Sequence, residues 1–173
     1  MAKIQINQLK NARIYIDGND FIAKAEEVDL PSVKAKTSDV KGLGLMGDAE
    51  LPTGYEKMEA KIKFNGVYPR LMAIVGDIQN AHTVIARASL EVWEANKLVE
   101  QQAVKAEMRG FFKETPTGKL KGRENAEQDT TMSVQYYKLT VNDEEIIEFD
   151  VFNNILKIDG VDQLETYRNN IGG

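Results

Sequence analysis

The stretch Gly42–Gly47, GLGLMG, reads as G-x-G-x-x-G. In dinucleotide-binding proteins that spacing lets the backbone approach a pyrophosphate at the start of a helix. Such chemistry needs a buried apolar strand before the glycines and a helix beginning at them. Here the preceding residues, KAKTSDVK, are polar, and the following DAELPTGY holds Pro52 and Gly54, which stop a helix early. The context excludes a cofactor loop. It leaves Leu43, Leu45 and Met46 to be explained, because apolar side chains in a polar connection gain nothing on their own. Two readings stand: the loop folds back into its own core, or these residues meet another subunit.

The remaining chemical candidates are few. His82 is the only histidine and cysteine is absent. Disulfides, thiolate metal sites and two-histidine sites are therefore excluded. No G-x-S-x-G elbow occurs, and Gly118-Lys119 runs into Leu120 rather than completing a phosphate loop. The carboxylate pairs Glu26-Glu27 and Glu144-Glu145 are sequence neighbours. On a strand they point to opposite faces and cannot flank one bond. Lys113, Lys119, Lys121 and Arg123 form a small basic patch, but Glu114, Glu124 and Glu127 dilute it and no aromatic platform accompanies it. None of these motifs supplies a catalytic residue, cofactor site or metal site; glycosidase chemistry from more distant carboxylates stays open with nothing to favour it, and an enzyme is the weakest reading.

The elements that carry these residues fit one domain spanning 1–173, since 173 residues suffice for one hydrophobic core. Hydrophobic residues make up 42% and charged residues 28%, as in ordinary globular chains. The net charge of −5 argues against holding nucleic acid through the overall field. No window approaches the roughly 18 apolar residues of a membrane span, so no membrane anchoring is expected. The N-terminus lacks the apolar region of a signal peptide, which predicts a protein that stays in the cytoplasm where it is made.

Period-two alternation dominates. Met58, Ala60, Ile62 and Phe64 share one face, opposite Lys57, Glu59, Lys61 and Lys63, which predicts a half-buried strand. Alternation returns over Thr83–Trp93 and through Val104, Ala106, Met108 and Phe112, with weaker strands at Ala12–Ile16, Ile22–Asp29 and Val33–Thr37. YPRLMAIVGD predicts a short helix, with Pro69 in its first turn and Gly76 where it can stop. The tail places Val161, Leu164 and Ile171 at near-helical spacing. Lys113–Asp129 reads as a polar loop between two long antiparallel strands. The pattern predicts a mainly β fold, an antiparallel β-sandwich or barrel with one short packed helix.

Two late stretches break the alternation. In TMSVQYYKLTV, Met132, Val134 and Tyr136 fall on one face and Tyr137, Leu139 and Val141 on the other. In EFDVFNNIL, Phe149, Val151 and Ile155 are interrupted by Phe152 and Leu156. An antiparallel strand with one solvated face should be polar on that face. Either the strand crosses between layers, or a neighbouring subunit covers its outer face, with sheets continued between protomers.

The C-terminal third resembles the end of the major tail tube protein family of contractile-tailed phages and R-type pyocins. The resemblance runs through Tyr136, Tyr137, Lys138 and Leu139, the Glu148 and Asp150 strand end, and Asp159-Gly160-Val161-Asp162. It ends in Leu164, Arg168 and Asn170-Ile171-Gly172. Further matches are VDLP (Val28–Pro31), IDG (Ile16–Gly18), MEAKIKFNG (Met58–Gly66) and MRGFFKE (Met108–Glu114).

The resemblance implies a non-enzymatic virion protein: homo-hexameric rings of β-sandwich subunits, joined through their sheets and stacked into a hollow tube inside a contractile sheath. It implies a conduit for DNA ejection or envelope piercing, in a phage tail or a tailocin. Implied partners are the sheath, baseplate and tail-terminator proteins, with tape-measure protein and DNA in the lumen and no sequence-specific binding. Assembly would take place in the host cytoplasm. Thr37–Gly54 would be an extended loop between rings, with Leu43, Leu45 and Met46 as inter-ring contacts. Tyr136, Tyr137, Leu139, Phe149 and Phe152 would be intra-ring contacts, and 161–173 a C-terminal segment. The alternative from another class is a monomeric β-sandwich binding module. That reading calls for a cluster of exposed aromatics or a polar groove; Trp93 is the only tryptophan.

Overall fold

The computed structural model describes residues 4–117 and 126–172. In chain order the elements are β1 (Gln5–Ile16), β2 (Asn19–Asp20), β3 (Ala25–Asp29), β4 (Ala35–Val40), β5 (Ala49–Tyr55), β6 (Met58–Phe64) and α1 (Pro69–Gly76). Then follow β7 (His82–Glu94), β8 (Lys97–Phe112), β9 (Gln128–Val141), β10 (Glu144–Asp150), β11 (Ile155–Ile158), β12 (Val161–Asp162) and α2 (Glu165–Ile171). The fold is mainly β and antiparallel, as the alternation predicts, and it does not close into a barrel.

Local chemistry fixes most of the turns. Asp17-Gly18, Ala95-Asn96, Asn142-Asp143 and Asp159-Gly160 all hold positive φ at both positions. They join β1 to β2, β7 to β8, β9 to β10 and β11 to β12 as two-residue turns. That turn type matches the right-handed twist of the strands it connects, and Asn, Asp and Gly reach it at least cost.

The main sheet runs β12-β11-β10-β9-β8-β7-β1-β2, and a second limb, β6 with β3, also joins β9. Strand β9 is the fork. Its residues Gln128–Val134 pair with β6, whereas Tyr136–Val141 pair with β10. Strand β8 lies along the opposite edge throughout the second half. Gln135 stands between the two partners, and its carbonyl accepts the Val151 N–H at 3.0 Å.

The fork explains the two-faced apolar pattern. Against β8, Gly110 faces Val134 and Arg109 faces Tyr136, so Gln135 is the extra residue of a β-bulge. One inserted residue shifts the alternation by one place. Gln128, Thr130, Met132 and Val134 are therefore buried before it, and Tyr137 after it, all toward the same core. Gly110 permits the close approach: a Cβ there would lie 1.9 Å from the Ser133 carbonyl oxygen.

The core joins Ile14, Ile16, Met58, Ile62, Phe64, Val84, Met108, Phe112 and Met132 to Leu71 and Val75 of α1. The packed helix and the face predicted for Met58–Phe64 stand as expected. The tail differs. Val161 lies in β12, and only Glu165–Ile171 is helical, with no buried residue. Arg168 ties this helix down through Asp162 at 2.6 Å and the Asn154 carbonyl at 2.9 Å. Lys113–Asp129 does connect two long antiparallel strands, although Lys119, Lys121, Arg123 and Glu124 lie outside the described residues.

Candidate functional site

With no convergent polar site in the sequence, the candidate site is the set of surfaces the fold leaves apolar. The first is Thr37–Gly54, expected as an extended loop. It is instead largely a β-hairpin: among the described residues β4 and β5 pair only with each other, as a separate two-stranded sheet. Every residue of both strands is exposed. Thr53 Oγ1 donates to the Lys36 carbonyl at 3.1 Å, and Lys41 meets Asp48 at 3.5 Å across the tip.

At that tip Leu43 and Met46 are fully exposed and Leu45 is 56% exposed. The fold-back reading is thereby overturned. The Leu45 N–H donates to the Gly42 carbonyl at 3.2 Å, and Gly44 takes the left-handed conformation at φ 91°. This tight turn drives the three apolar side chains outward. A strand follows the glycines, so no helix N-terminus exists to receive a phosphate.

The C-terminal aromatics divide. Tyr137 is 3% exposed and Phe149 4% exposed, both inside the subunit's own core, with Leu139 half-buried against it. This corrects the expectation that Tyr137 and Phe149 contact a neighbour: the Gln135 bulge turns Tyr137 inward, and Phe149 pairs directly with it. Burial raises the Tyr137 phenol pKa above its ordinary value.

Tyr136 stays on the opposite, polar face. Its hydroxyl donates to Glu148 Oε1 at 3.0 Å, and Arg109 stacks 5.3 Å from its ring centre. Burial first, then the Glu148 carboxylate, push its pKa well up. Burial opposes ionisation of Glu148, but Lys157 at 2.8 Å and Tyr136 outweigh it and hold the carboxylate below its usual range. Lys138 and Glu145 pair alongside at 2.6 Å. Phe152 alone of the five is openly presented, at 76% exposure. Asp150 fixes it there by accepting the Phe152 and Asn153 N–H groups at 3.1 Å, an Asx-turn that aims the ring outward.

Sequence reasoning missed a further surface. Strand β1 starts at Gln5, and β2 pairs only with Tyr15 and Ile16. Among the described residues no strand pairs the outer edge of β1 from Gln5 to Arg13. Ile6 and Leu9 on it, and Ile4 just before it, are all more than half exposed. The i, i+2 spacing of Ile4 and Ile6 was the available signal. A bulge at Lys10, whose ammonium reaches the buried Glu91 at 3.4 Å, interrupts this edge and limits indiscriminate pairing.

His82 is structural. It is buried, with Nδ1 2.6 Å from Asp17 Oδ2 and Nε2 3.0 Å from the Asp77 carbonyl. Among the described residues no group of histidine, cysteine, aspartate or glutamate could hold a metal. Nor is any helix among them long and apolar enough to cross a membrane.

The model of the family described as phage tail tube protein FII matches residues 6–172. The chain belongs to that family. It is 29% identical over 168 residues to the tail tube protein of Escherichia phage P2, covering 95% of this chain and 96% of the relative. It is 30% identical over 155 residues to the major tail tube protein of Serratia phage KSP20, covering 88% of each. Among solved structures it is similar to the sheath/tube terminator of an extracellular contractile injection system in the extended state. That match has a TM-score of 0.53 at 11% identity, covering 75% of this chain and 92% of that one. The sheath-tube complex of such a system gives a TM-score of 0.52 at 12% identity, covering 75% and 87%. At those identities the structures speak for the fold alone. Family membership makes this chain a structural tail tube protein. The matched span includes the hairpin and nearly all of β1.

Proposed function

We propose that this chain forms the inner tube of a contractile tail as hexameric rings stacked end to end, enclosed by a sheath. The observation that carries the reading is one subunit with two separate unpartnered surfaces, the apolar hairpin tip and the open β1 edge. A ring needs one heterologous contact that closes, and a stack needs another that does not. The β1 edge suits the first, by continuing a sheet into the neighbouring subunit, with Phe152 as an added intra-ring contact. Leu43, Leu45 and Met46 suit the second.

The tube acts mechanically, without catalysis or cofactor. Baseplate and terminator proteins bound its ends. The lumen holds tape-measure protein and then DNA, without reading sequence, and subunits assemble in the host cytoplasm without membrane anchoring. The net charge of −5 favours free passage, since a negative wall repels a phosphate backbone.

Negative-stain electron microscopy over a concentration series, with and without preassembled baseplates, tests this reading. Hollow tubes of uniform width built from sixfold rings are expected. Compact monomers under every condition would overturn it.

A further inference from the structure

The hairpin is polarised from end to end. Its distal part carries Asp39, Asp48 and Glu50 against a single lysine, Lys41. Its root is basic. Lys34 and Lys36 have no ion-pair partner among the described residues, and Lys57 and Lys113 both neutralise Glu59 at 2.9 and 2.8 Å. The two lysines hold the Glu59 carboxyl down at about 2.

At this root a cleft of about 680 Å³ opens between β5, the start of β6 and the segment after β10. Tyr55, Met58, Val134, Val151, Leu164 and Tyr167 supply its apolar lining. Phe149 forms an edge-to-face contact with Tyr55, their ring centres 5.1 Å apart. The cleft lies at the fork of the sheet, where β9 changes partner at Gln135. A concave, mainly apolar site of this size accepts a few large side chains.

We propose that this cleft receives the hairpin tip, Gly42–Gly47, of a second copy of the chain stacked on the first. The proposal rests on the tube reading above and names the receiving surface for its inter-ring contact. The hairpin's own tip stands about 20 Å from its root, at roughly 3.3 Å per residue along β4. A chain therefore cannot fill its own cleft without unpairing the hairpin. Charge complementarity selects the occupant: an acidic tip with apolar side chains at its apex meets an apolar cleft that has Lys57 and Glu56 on its lining, with Lys34 and Lys36 beside it at the hairpin root. Isolated two-stranded hairpins are marginal in water, so seating also stabilises the donor arm. Tip and cleft are different surfaces of one subunit, so the contact repeats without closing and propagates along an axis.

The absence of cysteine makes the test clean. The variant carrying Met46→Cys and Val151→Cys is assembled, oxidised and run on a non-reducing gel, while the same sample is viewed by electron microscopy. A ladder extending well past the ring size, absent from either single variant, is expected. Tubes without a ladder would overturn the cleft assignment and leave the tube reading intact. A ladder ending at a closed ring would overturn the stacking direction. A wild-type protein that forms no tubes even on baseplates would overturn both. Should the cysteines themselves block assembly, charge reversal decides. Glu50→Lys is expected to shorten tubes at least tenfold, and adding Lys36→Glu to restore them; absence of rescue would overturn the pairing.

Discussion

The backbone of Gly110 lies against the carbonyl of Ser133 so closely that a methyl group on Gly110 would sit 1.9 Å from that oxygen. The contact lies beside the Gln135 bulge, where β9 passes from one partner to the other. The Gly110→Ala variant should lose about 1–3 kcal/mol, as overpacking of a rigid backbone site does. Urea unfolding measures this loss. A midpoint equal to that of the parent would show that β8 and β9 can separate there freely.

The His82 ring meets two groups that only accept hydrogen bonds, the Asp17 carboxylate and the Asp77 carbonyl. Both contacts are satisfied together only when both ring nitrogens carry protons. Burial, the largest influence, lowers its pKa, but the Asp17 and Asp77 contacts outweigh it and leave the value raised. A raised value in the folded state gives stability that is complete below the unfolded-state pKa, about 6.5. That stability is lost as pH rises through the folded-state value. The thermal midpoint should therefore fall as pH climbs above about 6.5, and His82→Asn should flatten that segment of the curve.

Phe149 and Phe152 are three residues apart and should behave oppositely. Phe149→Ala opens a cavity in the core and should cost about 3–5 kcal/mol. Phe152→Ala should leave stability within about 0.5 kcal/mol. Its effect should instead be on ring formation, read by sedimentation velocity beside thermal unfolding of the same samples.

Leu45→Asp places a charge on the exposed tip. The subunit should fold with an unchanged thermal midpoint while tube length falls sharply in electron micrographs. Tubes of normal length would remove the tip from the stacking contact.

The legible parts of this fold are those where burial differs between faces. Met58–Phe64 alternates because one face is core and the other water, and the structure reproduces that face residue for residue. Apart from the start of β4, which the strand expected at Val33–Thr37 overlaps, the hairpin escaped notice because all of β4 and β5 is exposed, and a strand with no buried side leaves no alternation. The apolar pairs around Gln135 admit either a strand crossing between layers or a covering neighbour, because the bulge shifts the period. Gly110, lodged within a strand of Met, Arg and Phe, was the one residue that marked it. Leu43, Leu45 and Met46 were legible as anomalies, since apolar residues spaced by glycines in a polar setting need a partner. The cleft proposed to receive them is assembled from β5, β6, β9 and the segment after β10, a juxtaposition that no local pattern carries.

Among the described residues β9 is the only strand that bonds to both limbs of the sheet. Sliding the β6 limb past the β10 limb along the strand axis cannot be accommodated by slipping one ladder over another. Both ladders hang from one continuous backbone, so the load passes through its peptide bonds. Shearing the limbs apart requires stripping one ladder from β9, so a pull between the two limbs is carried by covalent structure.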